Sequence, residues 1–203
     1  MKTGILGGTF DPVHNGHVLI AEVARDALGL DEVLLVPAGQ PVFKAGDDIT
    51  PPEDRLAMVR LAAEGRDRLR VSDMEICRDG PSYTVDTIAS LREQYAAGDE
   101  MYFILGWDSL MQLPEWREPA RIIGMCRLAA VYRPGCERPD PEELEERVPG
   151  IFGRLVWLEE PRIDINSSDI REMVAGGESI DHLVPAQVAT YMREHRLYKH
   201  TGR

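Results

Sequence analysis

The sequence predicts an α/β fold, an open parallel sheet whose strands are joined by helices. Two observations carry that expectation. Short apolar runs alternate with longer amphipathic stretches along the whole chain, the pattern of strand–helix–strand units. The segments that look chemically active fall after the first, second and fourth strands and before the last helices, at the edge where open parallel sheets bind ligands.

Thr3 to Leu6 reads as a short buried first strand, and Gly16 to Leu28 as a helix with Val18, Ile20, Ala21, Val23, Ala24 and Leu28 on its apolar face. Glu32 to Val36 is a second strand stopped by Pro37. Pro51 and Pro52 open a helix running through Leu61 and Ala63, since proline suits a first helical turn. Leu69 to Ser72, Met101 to Leu105 and Arg127 to Tyr132 supply the next strands, with a helix from Val85 to Tyr95 among them, and Leu155 to Leu158 a sixth. Helices near Ser168 to Val174 and Pro185 to His195 close the chain. Gln40 to Pro52 is a loop rich in Gly, Pro and Asp; Glu142, Glu143, Glu145 and Glu146 mark a solvated acidic helix.

A chain of 203 residues holds one domain with a substantial core, here taken as 1–203, and is short for two. Its 23 basic and 35 acidic residues give a net charge of −12. That balance argues against a nucleic-acid coat, which neutralises phosphates with Lys and Arg. A small phosphorylated ligand stays compatible, because a pocket can be positive inside a negative whole. The three cysteines, Cys77, Cys126 and Cys136, form no Cys-x-x-Cys pair, against a disulfide framework or cysteine zinc site. No apolar run approaches a membrane span and no signal core is visible. The expected setting is cytoplasmic. Oligomeric state is not encoded legibly, and a homo-oligomer is compatible.

The first chemical segment is Gly7-Gly8-Thr9-Phe10-Asp11-Pro12-Val13-His14-Asn15-Gly16-His17. It is neither a dinucleotide fingerprint nor a Walker loop. His14 and His17 lie three apart at a helix start and project from about the same face. Gly16 between them leaves room for something bulky against the helix. With the free N–H groups of the helix start, the two imidazoles suit an anion. A zinc site lacks a third ligand and His-x-x-x-His spacing. The second segment, Ile165-Asn166-Ser167-Ser168-Asp169-Ile170-Arg171, is equally an ordinary helix cap and a polyphosphate holder, with Arg171 one turn in.

Together these segments resemble the nucleotidylyltransferase superfamily with its His-x-Gly-His motif. The resemblance narrows with Pro37-Ala38-Gly39-Gln40-Pro41 followed by Lys44, with Ser82-Tyr83-Thr84-Val85-Asp86-Thr87, with Gly106-Trp107-Asp108-Ser109-Leu110 and with Trp116. These, and the C-terminal Val184-Pro185 with Val188, Tyr191, His195, Leu197 and Tyr198, look like the bacterial nicotinate-nucleotide adenylyltransferases along essentially the whole chain. Two departures stand out. Phe43 sits where the family usually has histidine, and Asn166 and Ser168 replace a serine and a threonine of the late motif.

The resemblance implies a Rossmann-like open parallel sheet with helices on both faces, of the nucleotidylyltransferase type, its C-terminal helical part from about 165 completing the ATP site. It implies transfer of the adenylyl group of ATP to nicotinate mononucleotide, giving nicotinate adenine dinucleotide and pyrophosphate in NAD biosynthesis. His17, His14 and Lys44 become the catalytic candidates. Gly8, Thr9, Phe10, His14, His17, Gly106, Asp108, Ser167, Ser168 and Arg171 are expected around ATP. Lys44, Tyr83, Thr84 and Trp116 are expected around nicotinate mononucleotide, Trp116 stacking on the ring and the Tyr83–Thr84 backbone reading the carboxylate. Mg2+ would be bound mainly through ATP phosphates, with no metal site of the protein's own. Trp107 and Trp157 are assigned to packing, His182, His195 and His200 to structure, and Asp86 is expected to turn into its own helix. Rival readings keep the fold and change the acceptor to nicotinamide mononucleotide, phosphopantetheine or glycerol phosphate, or make the scaffold a non-catalytic nucleotide sensor. A class I synthetase fragment would need a tRNA-binding extension for which the chain has no room.

Overall fold

The computed structural model describes residues 1–44 and 48–199, with the Lys44 side chain outside that description. Among the described residues six strands form one sheet: β1 (Lys2–Gly8), β2 (Glu32–Pro37), β3 (Leu69–Val71), β4 (Glu100–Gly106), β5 (Arg127–Val131) and β6 (Leu155–Leu158). Their order is β3-β2-β1-β4-β5-β6 and each pairing is parallel. The expected open parallel sheet is therefore present. The chain winds outward from β1 through β2 to β3, then crosses back to β4, so the strand order reverses between β1 and β4.

Among the described residues eight helices accompany the strands: α1 (Asn15–Leu28), α2 (Pro52–Ala63), α3 (Thr84–Gln94), α4 (Trp107–Gln112), α5 (Pro119–Met125) and α6 (Pro141–Arg147) lie between strands, and α7 (Ser167–Gly176) and α8 (Ala186–Glu194) follow β6. The strands are buried on both faces, so their apolar residues alternate between two cores. Leu6, Ile104 and Val131 face α1, α2, α7 and α8 through Ala21, Met58, Ile170 and Val188. Ile5, Phe103, Leu105 and Leu128 face α3 to α6 through Ile88, Leu110, Ile122 and Leu144. Trp107 joins this second core, edge-on to both Tyr132 and Trp157, as its packing assignment required.

The solvated acidic helix is α6, capped by Asp140, whose side chain accepts from Glu142 N–H at 2.8 Å. Helices α4 and α5 leave no signal in the sequence pattern. They are six and seven residues long, too short to develop the 3.6-residue apolar period that reveals a helix.

Candidate active site

At the carboxyl ends of β1 and β4, where the strand order reverses, lies a cavity of about 470 Å³. Gly7 and Gly8 of β1 and Leu105 and Gly106 of β4 form its floor. His14, His17, Ser167 and Ser168 line the cavity on one side, and Phe43, Thr84 and Trp116 line it on the other. Open α/β sheets bind ligands at this reversal because the two neighbouring loops diverge there.

His14 and His17 stack face to face, centroids 3.6 Å apart with 24° between planes, so the expected shared face is real. His14 N–H donates to His17 Nδ1 at 3.3 Å, which leaves the neutral imidazole's proton on Nε2. Phe10 is buried and meets His17 edge-on at 4.9 Å. His14 is 4% exposed, and burial, helped by the charge of Arg133, pulls its imidazole down to about 4. His14 is therefore neutral at pH 7, and its Nδ1 is buried without a hydrogen-bond partner. The space beside Gly16 holds the His14 ring itself: a Cβ there would stand 2.9 Å from His14 Nδ1. The bulky group for which Gly16 leaves room is thus the His14 imidazole, and Gly16 also lines the cavity. The helix start is also less free than expected, because Asn15 N–H donates to the Leu183 carbonyl at 2.8 Å and its side chain to the His182 carbonyl at 3.1 Å.

Helix α7 closes the same end. Asn166 caps it by accepting from Asp169 N–H at 2.9 Å, leaving the Ser167 and Ser168 N–H groups in the uncommitted first turn beside the cavity. Ser167 donates its hydroxyl to the Pro12 carbonyl at 2.9 Å. Arg171 reaches the Asp11 carbonyl at 2.7 Å and the Ser168 hydroxyl at 3.2 Å, tying α7 to the loop after β1 rather than lining the cavity wall. Asp108 lines the cavity and pairs with Arg133 at 3.3 Å, while its Oδ1 is buried without a partner. Gly106 makes that geometry accessible, since a Cβ there would stand 2.4 Å from Asp108 Oδ1.

At the other end, Trp116 lines the cavity edge-on to Phe103 at 5.9 Å. Thr84 opens α3 and lines the cavity, whereas Tyr83 is not among the lining residues and its ring carries the Arg117 guanidinium at 4.7 Å. Asp86 does not turn into its helix: it faces Arg117 across the α3–α5 junction at 3.6 Å. His195 stacks on Tyr191 at 3.9 Å in a structural setting. Lys44 belongs to a 3-10 turn, Val42–Lys44, but its side chain lies outside the described residues, as does His200.

Three site residues escaped the sequence reading. Arg133 comes two residues after β5, at the edge where ligands bind, and that position was the available signal. Glu75 is a buried carboxyl lining the cavity; burial holds its pKa up although Thr87 donates to it at 2.5 Å. Arg55, 1% exposed, donates to the carbonyls of Thr9 at 2.8 Å, Thr50 at 2.9 Å and Gly39 at 3.1 Å, stitching the loop after β1 to the loop after β2.

The profile of the cytidylyltransferase-like family matches residues 5–173. A Dehalococcoides mccartyi protein named "Probable nicotinate-nucleotide adenylyltransferase" is 50% identical over 198 residues, 98% of this chain and 97% of the relative. A Geobacter sulfurreducens protein of the same name is 44% identical and covered in full on both sides. Among solved structures, a Plasmodium falciparum nicotinic acid mononucleotide adenylyltransferase complexed with NaAD shares the fold at a TM-score of 0.79, with 17% identity over 97% of each chain. The chain belongs to the cytidylyltransferase-like family and, within it, to the nicotinate-nucleotide adenylyltransferases.

Proposed function

We propose that the protein joins ATP and nicotinate mononucleotide to give nicotinate adenine dinucleotide and pyrophosphate, a step of NAD biosynthesis. The observation that carries this reading is one cavity with a stacked histidine pair and a helix start at one end and a tryptophan beside another helix start at the other. A phosphate oxygen of the mononucleotide forms a bond to the α-phosphorus as the bond to the bridging oxygen breaks. Pyrophosphate leaves with that electron pair. The attacking phosphate is already an anion at neutral pH, so the protein supplies no nucleophile and its task is position and charge.

In this reading His17 donates from Nε2 to the α-phosphate, and His14 fixes the His17 ring while its own neutral ring keeps charge out of the stack. The backbone about Gly8, Thr9 and Phe10 and the first turn of α7 at Ser167 and Ser168 receive ATP phosphates. Arg171 holds that turn against the Asp11 loop. Gly106 and Asp108 take the adenosine side, Lys44 bridges the reacting phosphates as a point charge, and Trp116 stacks on the ring. The first N–H groups of α3 at Tyr83 and Thr84 receive the nicotinate carboxylate. The single domain spans 1–203, with the part from about 165 completing the ATP site.

Glu75, Asp108 and Asp164 are the carboxylates lining the cavity among the described residues, and no described cluster of three or more His, Cys, Asp or Glu is arranged to hold an ion. That donor set fits Mg2+ held mainly through ATP phosphate oxygens. When bound, the ion supplies neutralisation of the leaving phosphates. The free thiols of Cys77, Cys126 and Cys136 suit a reducing, cytoplasmic setting, and no helix of the described residues is long and apolar enough to cross a membrane.

The test is product analysis with purified protein, ATP and Mg2+, and one acceptor at a time. Nicotinate mononucleotide should yield dinucleotide and pyrophosphate in equal amounts. Turnover only with nicotinamide mononucleotide, phosphopantetheine or glycerol phosphate would replace the acceptor. No turnover with any acceptor, beside measurable ATP binding, would favour a nucleotide sensor.

A further inference from the structure

Phe43 is 65% exposed, a large apolar ring left in solvent at the mouth of the cavity it lines. It faces Trp116 with centroids 6.5 Å apart and planes tilted by 39°. Rings settled on each other in this molecule look different. His14 on His17 and Tyr191 on His195 stack at 3.6 and 3.9 Å, and Phe103 meets Trp116 edge-on at 87°. The Phe43–Trp116 pair is neither stacked nor T-shaped, the two arrangements aromatic pairs favour. A flat ring slotted between two others needs roughly 3.5 Å on each side, so roughly 7 Å in all, close to the observed spacing.

The two walls also differ in how they are held. Trp116 is braced by Phe103 against its ring and, in the backbone, by its main-chain N–H donating to the Leu113 carbonyl at 3.0 Å. Phe43 stands on a three-residue 3-10 turn and keeps most of its surface in water. Covering that surface with a ligand ring releases water from both faces, a gain that the free protein forgoes. The acceptor supplies a suitable partner, because a pyridine nitrogen bonded to ribose makes the ring a cation. Cations are drawn to the electron-rich faces of aromatic rings.

We propose that Phe43 forms the second wall of the acceptor's ring site, so that the pyridinium of the mononucleotide lies between Phe43 and Trp116. The proposal rests on the acceptor reading above. Phe43 then sets affinity for a flat cationic ring and leaves the ATP phosphates alone.

The experiment is steady-state kinetics of Phe43→Ala, Phe43→Leu and Phe43→Tyr with nicotinate mononucleotide varied at saturating ATP, and then with ATP varied. Phe43→Ala should raise the mononucleotide KM roughly five- to tenfold, as a cation–π contact of ordinary strength dictates, with kcat and the ATP KM held. Phe43→Tyr should restore the KM. Phe43→Leu should not, because it returns apolar bulk without a π face. Quenching of tryptophan fluorescence by the mononucleotide in the absence of ATP gives the same ordering without turnover, with ribose 5-phosphate as the ringless control. Wild-type KM in Phe43→Ala removes the wall, and wild-type KM in Phe43→Leu removes its aromatic character. A wild-type protein that makes no dinucleotide from these substrates defeats the acceptor reading instead, so the two failures are distinguishable.

Discussion

The two ends of the cavity are built on different plans. At the histidine end, proposed to hold the phosphates, the side chains are locked before any ligand arrives. His14 is buried and stacked on His17, Arg55 is buried on three carbonyls, and Asp11 accepts from the Tyr198 hydroxyl at 2.6 Å and from Thr50 N–H at 3.4 Å. At the ring end, Phe43 is exposed and unstacked, and only Trp116 is braced. The difference matches the work at each end. Charge stabilisation in a transition state depends on donors that need no reorganisation, whereas ring binding tolerates a surface that the ligand itself completes.

If the locked end is held as described, its largest sensitivity is to Arg55. Arg55→Ala strands three carbonyls in the interior and should lower stability by about 3 kcal/mol or more, read as a fall in Tm, with loss of ATP binding. A variant that melts like the wild type would mean that these two loops hold their shape without the guanidinium.

His17→Ala tests the chemistry of the same end. It should lower kcat roughly a hundredfold, about 2.7 kcal/mol of barrier, and weaken ATP binding far less. Turnover near wild type would take His17 out of the reaction.

The buried imidazole of His14 adds a pH signature. Its folded pKa, about 4, lies below the unfolded value of 6.5, so between these values the unfolded chain binds more protons and stability falls as pH falls. At pH 4.5 this one group should remove about 2 kcal/mol relative to pH 7. Glu75, whose folded pKa is raised, acts in the opposite sense, its contribution being lost as pH rises. Denaturant unfolding of the wild type and of His14→Gln across this range isolates the imidazole. Parallel curves for the two proteins would show that His14 titrates normally.

The sequence and the structure agree most where local rules suffice. All six strands and the long helices followed from apolar period and proline placement, and the stacked histidines from three-residue spacing on a helix. What escaped was decided across the chain. Arg55 reads as a surface residue of α2 until the carbonyls of Thr9, Gly39 and Thr50 are seen to converge on it. Asp11 meets Tyr198 across 187 positions, and no local pattern announces such a pair. Asp86 turned outward because Arg117 approaches from a neighbouring segment. Arg133 could have been found, since it follows a strand at the ligand-binding edge.

In the proposed function the phosphate end performs one reaction while the ring end chooses the acceptor. The most direct test is kcat/KM for nicotinate and nicotinamide mononucleotides, measured with the same enzyme and ATP concentration. The two differ by a carboxylate against an amide of nearly the same shape. Two charge-assisted hydrogen bonds from the Tyr83 and Thr84 N–H groups, each stronger than its neutral counterpart by about 1 kcal/mol, predict a preference for nicotinate on the order of tens-fold, with the same ATP KM for both. Equal values, or a preference for the amide, would contradict that division of labour.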